Sequence, residues 1–249
     1  MKKFVTSFFM AWGMFFAVPC PLRIWDETLR GAMLLCLPLI GVLTGGAWVF
    51  LAYLLGLADC PTLVVAALLT LLPGALTGFI HMDGFMDCCD AIFSRRDLEG
   101  RRRILKDPHS GSFAVIGLGA VFLLEFSLFA SMDLSGRIWG LLFLPAVSRL
   151  CSVLAIYRCE PMPGSSYAGQ FQSLIKPQYG YLMFGLLLLV CVIPVLLLGV
   201  PGLSAVAAAA GSMLAIADGR RQLGGMNGDI SGFGVVCGEF CGIAVLTLV

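Results

Sequence analysis

Seven apolar stretches divide the chain: residues 31–57, 61–80, 112–131, 138–157, 181–200, 202–217 and 230–249. Each is long enough, or nearly so, to cross a hydrocarbon core of about 30 Å as a helix. The sixth is short and small-residue-rich from Ala205 to Gly211, which suits packing against another helix rather than contact with lipid. An eighth apolar stretch, residues 4–18, follows Lys2-Lys3. It lacks the small-x-small cleavage site of a secretory signal, since Phe15, Phe16 and Pro19 stand where small residues belong. The expectation is a retained helix, interfacial or inserted. The predicted fold is all-α, a polytopic transmembrane helical bundle forming one integral membrane domain over residues 1–249.

Composition agrees with this pattern. Hydrophobic residues make up 59% of the 249 and charged residues 12%, against about 45–50% and about 25% in soluble domains. The lipid bilayer is the expected surround and no nucleic acid is expected as a partner. Oligomeric state stays open, a homo-oligomer included. The ten cysteines are scattered through apolar runs, or adjacent as Cys88-Cys89, with no zinc spacing. They are expected as small buried hydrophobes rather than a disulfide framework.

A net charge of +1 conceals a strong asymmetry along the chain. Polar connections 1–30, 81–111, 158–180 and 218–229 alternate with very short turns near Asp59, residues 133–137 and Pro201. Of the 16 lysines and arginines, all but Arg137 and Arg149 fall in the polar connections. The positive-inside rule places that set in the cytoplasm, so the chemistry is expected on the cytoplasmic face.

Three constellations lie there. The first is Gly78-Phe-Ile-His-Met-Asp-Gly-Phe-Met-Asp-Cys-Cys-Asp90. Spacings of four and three put Asp83, Asp87 and Asp90 within an arc of about 60° on one helix face. Three bare anions so close repel one another, and Arg95, Arg96, Arg101, Arg102, Arg103 and Lys106 follow directly. Carboxylates facing cations at a membrane surface suit a hard divalent metal holding a phosphate. The plain alternative is a solvated helix with ordinary charge pairs. Past Lys106-Asp107, Pro108 ends any helix and Ser110-Gly-Ser112 opens the next, where backbone N–H groups can hold an anion or simply be capped.

The second constellation is Gly219-Arg-Arg-Gln-Leu-Gly-Gly-Met-Asn-Gly-Asp229. Gly224, Gly225 and Gly228 allow close backbone approach to a ligand, and Asp229 can cap the last helix or ligate a metal, capping being favoured by the local sequence. The third, Arg158 to Lys176 with Gly164-Ser-Ser-Tyr-Ala-Gly-Gln170, is weakly specific. Within the spans, Arg149, Glu125 and Glu239 are expected to face inward, with a structural Arg149–glutamate pair at least as natural as a substrate contact.

Taken in order, His81-Met-Asp-Gly-Phe-Met-Asp-Cys-Cys-Asp90, Lys106-Asp107 with Gly111, and Leu223-Gly-Gly-Met-Asn-Gly-Asp229 resemble the cobalamin synthase family, the adenosylcobinamide-GDP ribazoletransferases. Pro19 to Pro21 and Pro38-Leu-Ile-Gly41 also match that family's opening, so the resemblance covers essentially the whole chain. It implies a multi-pass enzyme of the bacterial cytoplasmic (inner) membrane that depends on magnesium, or on manganese in its place. Its substrates would be a corrinoid nucleotide and α-ribazole or α-ribazole 5′-phosphate. The reaction would transfer phosphocobinamide from adenosylcobinamide-GDP to the ribazole and release GMP. The family's acidic motif maps onto His81, Asp83, Gly84, Asp87 and Asp90, its Lys/Arg-Asp-Ser-Arg-x-Gly motif onto Lys106, Asp107 and Gly111, and its Gly-Gly-x-x-Gly-Asp motif onto Gly224, Gly225, Gly228 and Asp229. This chain has Asp90-Ala91 where the family commonly has Asp-Gly, and Pro108-His109 where it has Ser-Arg.

On this reading Asp83, Asp87, Asp90 and Asp229 hold metal. Lys106, Arg101 and Arg102, with Asp107, Gly111 and the three loop glycines, bind substrate, and His81 or a carboxylate takes the ribose proton. An ion-coupled transporter is the rival from another class, but its ionisable groups belong near the bilayer midplane rather than at a span end. A CDP-alcohol phosphotransferase of lipid synthesis is the nearer rival, and its ordered aspartate motif is not found here. The charge asymmetry makes one prediction by itself. Single cysteines introduced at residues 95–103 should resist an impermeant thiol reagent applied to intact cells and react once the membrane is opened. Efficient labelling from outside would reverse the orientation.

Overall fold

The structure, a computed structural model, describes residues 2–164 and 177–249; most of the third polar constellation, residues 165–176, lies outside the described residues. Among the described residues there are eleven α-helices and no strand. They are α1 (Lys2–Phe15), α2 (Arg30–Leu35), α3 (Leu37–Leu57), α4 (Thr62–Leu76), α5 (Ile80–Phe93), α6 (Leu98–Ile104), α7 (Ser112–Ser131), α8 (Leu144–Arg158), α9 (Pro177–Leu198), α10 (Leu203–Leu223) and α11 (Gly228–Leu248). Six helical stretches are long and apolar enough to cross a membrane, or seven if a bent pair counts as one span. That agrees with the polytopic bundle expected from the apolar pattern.

The bent pair corrects the second expected span. A continuous helix over 61–80 is not formed: α4 stops at Leu76 and the axis turns by 94° into α5. The cause is local. Gly78 and Phe79 both take left-handed backbone, with φ of 59° and 60°. The Thr77 hydroxyl donates back to the Pro73 carbonyl at 2.8 Å, which closes the last turn. The aspartate-bearing helix therefore starts abruptly at the end of an apolar one. The sixth span also differs, for α10 continues beyond residue 217 to Leu223 and carries Asp218, Arg220 and Arg221 on its last turns. The flexible loop shrinks to the few residues before α11.

α1 is the segment expected to be interfacial or inserted. Its 14 residues span only about 21 Å, too short for a hydrocarbon core. It buries Met10, Ala11 and Phe15 and exposes Phe4, Val5 and Met14. Helix α8 is central, with every residue from Leu144 to Ile156 buried. Within it Arg149 pairs with Glu239 of α11 at 2.5 Å, and the Ser148 hydroxyl donates to the same carboxylate at 2.9 Å. A charge in that interior requires a partner, and this one has it.

Glycines set the closest approaches. A Cβ on Gly238 of α11 would lie 2.8 Å from the Ala208 carbonyl of α10, and one on Gly232 would lie 2.7 Å from the His81 carbonyl of α5. One turn along the same side of α5, a Cβ on Gly84 would lie 2.8 Å from the Asp229 Cα. Two glycines, one on each helix, thus let α5 and α11 touch backbone to backbone. At the far end of the bundle Arg137 donates to the Thr247 carbonyl at 3.2 Å, so the short 133–137 turn meets the tail of α11.

Gly232→Val should lower the midpoint of thermal unfolding in detergent by an amount corresponding to about 1–3 kcal/mol of overpacking. Gly119→Val, on α7 where nothing lies within 4 Å of the added carbon, should be nearly silent. Equal effects would remove the helix contact as the reason for Gly232.

Candidate active site

The 94° bend aims α5 so that its polar face leaves the apolar interior. Asp83 is exposed and Asp87 and Asp90 half-buried, while His81, Gly84, Phe85 and Cys88 are buried on the other side. Because Gly84 lies on the backbone of Asp229, the start of α11 stands beside the turn of α5 that carries Asp83 and Asp87. Asp87 lies in the electrostatic field of Asp229, Asp83 and Asp90. Among the described residues, no lysine or arginine pairs with any of the four. The structure thus gathers residues distant in sequence into a concentration of negative charge that wants a cation.

How Asp229 is held was not legible from the sequence. Capping, favoured for it by the local sequence, falls to Asn227. The Asn227 side chain accepts from the Ile230 N–H at 3.0 Å, and its amide donates to Asp229 Oδ2 at 2.6 Å. Asp229 is relieved of the cap and braced by its neighbour. An Asn two residues ahead of an Asp at a helix start is the local pattern that signals this role.

Asp90 has a different position from its two companions. Its carboxylate accepts from the Gly111 N–H and, at 3.1 Å, from the Ala114 N–H, closing the first turn of α7. At the expected anion site the N–H groups of Gly111 and Ala114 are therefore taken by a residue of the protein itself. Gly111 has no side chain because a Cβ there would strike the Asp90 carboxylate.

The arginines divide likewise. Arg102 donates through Nε to the Leu223 carbonyl and through Nη2 to the Gly224 carbonyl, both at 2.9 Å. Arg101 donates to the Gln222 carbonyl and side chain. Both satisfy the orphan carbonyls at the C-terminus of α10, where cations also meet the negative end of the helix dipole. Gly224 takes φ of 77° to end that helix. Gly225, at 146°, lets the chain press against Met162. There Met226 and residues 160–162 exchange backbone hydrogen bonds of 2.8 and 2.9 Å. Gly228 is the first residue of α11.

Lys106 is exposed, and its ammonium lies 3.6 Å from where a Cβ on Gly164 would stand, which ties the 158–164 loop to the same surface. Asp107 turns away onto His109. The His109 backbone N–H and imidazole both bond its carboxylate, the ring Nδ1 at 2.7 Å. The imidazole contact, then the backbone one, hold the Asp107 carboxyl below its ordinary value.

His81 is not brought to the carboxylate face. Two residues back along a helix is about 200° around the axis, and the imidazole is buried against Arg149, in a cavity shared with Glu125 and Glu239.

The donors on this face are carboxylate oxygens, the kind that hard divalent ions take. Among the described residues no three such side chains yet converge on one point. The backbone contact at Gly84 supplies the proximity, and the like charges, free of ion pairs, supply the need.

Comparison with known proteins agrees along the whole chain. The family profile of cobalamin-5-phosphate synthase matches residues 7–247. An adenosylcobinamide-GDP ribazoletransferase of Clostridium perfringens (strain 13 / Type A) is 34% identical over 251 residues, covering all of both chains. One from Clostridium botulinum (strain Alaska E43 / Type E3) is 32% identical, over 98% of this chain and 97% of its own. One from Lachnoclostridium phytofermentans is 33% identical, over 98% and 94%. No solved structure matches.

Asn227→Ala should cost about 0.5–2 kcal/mol of stability as a lost cap. It should also lower activity, and so should Asn227→Ser, which keeps a cap but cannot donate an amide proton to Asp229. Wild-type activity in Asn227→Ser would reduce Asn227 to a cap alone.

Proposed function

The chain belongs to the cobalamin-5-phosphate synthase family, and from that premise we propose how its cytoplasmic-end carboxylates carry the reaction. It is a multi-pass membrane enzyme that joins adenosylcobinamide-GDP to ribazole. The transporter and lipid-synthesis readings fall away, since the relatives that match it end to end carry the ribazoletransferase name. Residence in the bacterial cytoplasmic membrane, with the polar connections on the cytoplasmic side, is supported by the placement of the lysines and arginines.

The observation that carries the site is the seating of Asp229 on Gly84, beside Asp83 and Asp87. These three carboxylates, with Asp90 one turn further along α5, would hold a magnesium ion, manganese being the substitute. Held there, it would offset negative charge on the diphosphate. Lys106, Arg103, Arg95 and Arg96 are exposed beside α5 and free to meet phosphate oxygens. Arg101 and Arg102 instead hold the end of α10, so their role in binding is to shape the loop that delivers Asp229. The ribose hydroxyl of the ribazole attacks the phosphorus on the cobinamide side, its proton passes to a carboxylate, Asp83 being the most exposed, and GMP leaves.

Asp→Asn keeps size and shape and removes the charge that a hard cation needs. Asp83→Asn, Asp87→Asn and Asp229→Asn should each reach the membrane at normal abundance and lose on the order of a thousandfold in GMP release from GDP-cobinamide and ribazole. A solvated face would instead give changes of about 0–1 kcal/mol. Near-normal magnesium-dependent activity in all three would remove the assignment.

A further inference from the structure

Four ionisable side chains meet inside the bundle, away from the aspartate face. His81, Glu125, Arg149 and Glu239 are each under 9% exposed, and all line one interior cavity of about 30 Å³. Only part of their hydrogen-bonding capacity is met by protein. Arg149 Nη1 serves Glu239 and the Pro145 carbonyl, while Arg149 Nε and His81 Nε2 are buried without a partner among the described residues. Glu125 lies in the electrostatic field of Glu239.

The needs of these atoms differ in kind. The Arg149 Nε–H requires an acceptor, a carboxylate requires donors, and His81 Nε2 requires one or the other according to its tautomer. A cation would satisfy the carboxylates and oppose the Nε–H, and an anion would do the reverse. A neutral molecule that both donates and accepts satisfies all of them, and a volume of about 30 Å³ holds one or two waters.

The cavity also sits under the bend. Its walls include Pro73, Gly74 and Thr77 from the last turn of α4 and His81 from the first turn of α5. We propose that this cavity is a built water site, in which water bridges His81 Nε2, Arg149 Nε and Glu125, and that through it His81 and Glu125 act as positioning residues fixing the rotation of α5. His81 anchors the inner side of a helix whose outer side carries Asp83 and Asp87, so slippage about the helix axis would swing the carboxylates. The positioning half rests on the aspartate assignment above; the water half does not.

Radiolytic hydroxyl-radical footprinting of the purified wild-type protein tests the water half without reference to activity. Trp48 is 1% exposed yet lines the cavity, whereas Met33 is 0% exposed and does not. Both side chains react readily with hydroxyl radical. Bound water should make Trp48 react at least tenfold faster than Met33, and equal protection of the two would overturn the site. For the positioning half, Glu125→Met should lower kcat at least tenfold at unchanged KM, and Glu125→Gln should restore most of it. An unaltered kcat in Glu125→Met would overturn positioning. Should Glu125→Met fail to accumulate, His81→Phe, which removes Nε2 from the same wall, replaces it. A threefold fall in kcat with KM held is expected there, and an unchanged kcat overturns the positioning role. If Asp83→Asn proves silent while Trp48 still labels, the aspartate assignment fails and the water site stands.

Discussion

The contact of α5 with α11 through Gly84 and Gly232 is the constraint on which the rest depends. A side chain at either position would meet main-chain atoms that cannot move aside. Removing both lets two helices, far apart in sequence, approach at backbone distance. The carboxylate at the start of one then stands beside the carboxylates on the first turns of the other. Like charges in such proximity are destabilising unless something compensates them, and it is the packing of the fold that brings them together. Stability and chemistry share one interface.

Around that interface the polar residues divide their labour by position. Arg101 and Arg102 close the C-terminus of α10, Asn227 opens α11, and Asp90 opens α7. All three helix ends converge on the site, and each is finished by a side chain from another part of the chain or from the loop itself. Lys106, Arg103, Arg95 and Arg96 stay exposed beside them. The result is a frame of finished helix ends that leaves its exposed charges on one surface.

Deeper in the bundle the Arg149–Glu239 pair follows the same logic under harsher conditions. In an apolar interior a lone charge would be driven out or neutralised, so charges occur together and with added hydrogen bonds, here from Ser148 and to the Pro145 carbonyl. The unused atoms of Arg149 and His81 then face a common cavity. The bend between α4 and α5 lies directly over it, which links the interior charges to the aim of the carboxylate helix.

Much was determined by the sequence alone. Apolar runs of about twenty residues can only be buried or lipid-facing, so the helical membrane bundle followed from hydrophobicity. The face shared by Asp83, Asp87 and Asp90 followed from the helical period, and the family from three ordered motifs. What the sequence did not determine is which polar atoms are already in use. Asp90 and Asp87 read alike locally, as do Arg102 and Arg103, and tertiary contacts alone separate the residue that caps or clamps a helix from the one left free. The break at Gly78-Phe79 was likewise hidden, since an apolar run gives the same hydropathy straight or bent. His81, adjacent in sequence to the acidic stripe, was turned inward by α5 packing on α11. Hydropathy and periodicity report what each segment prefers; only the packed structure decides which partners its polar groups find, because those partners come from other segments.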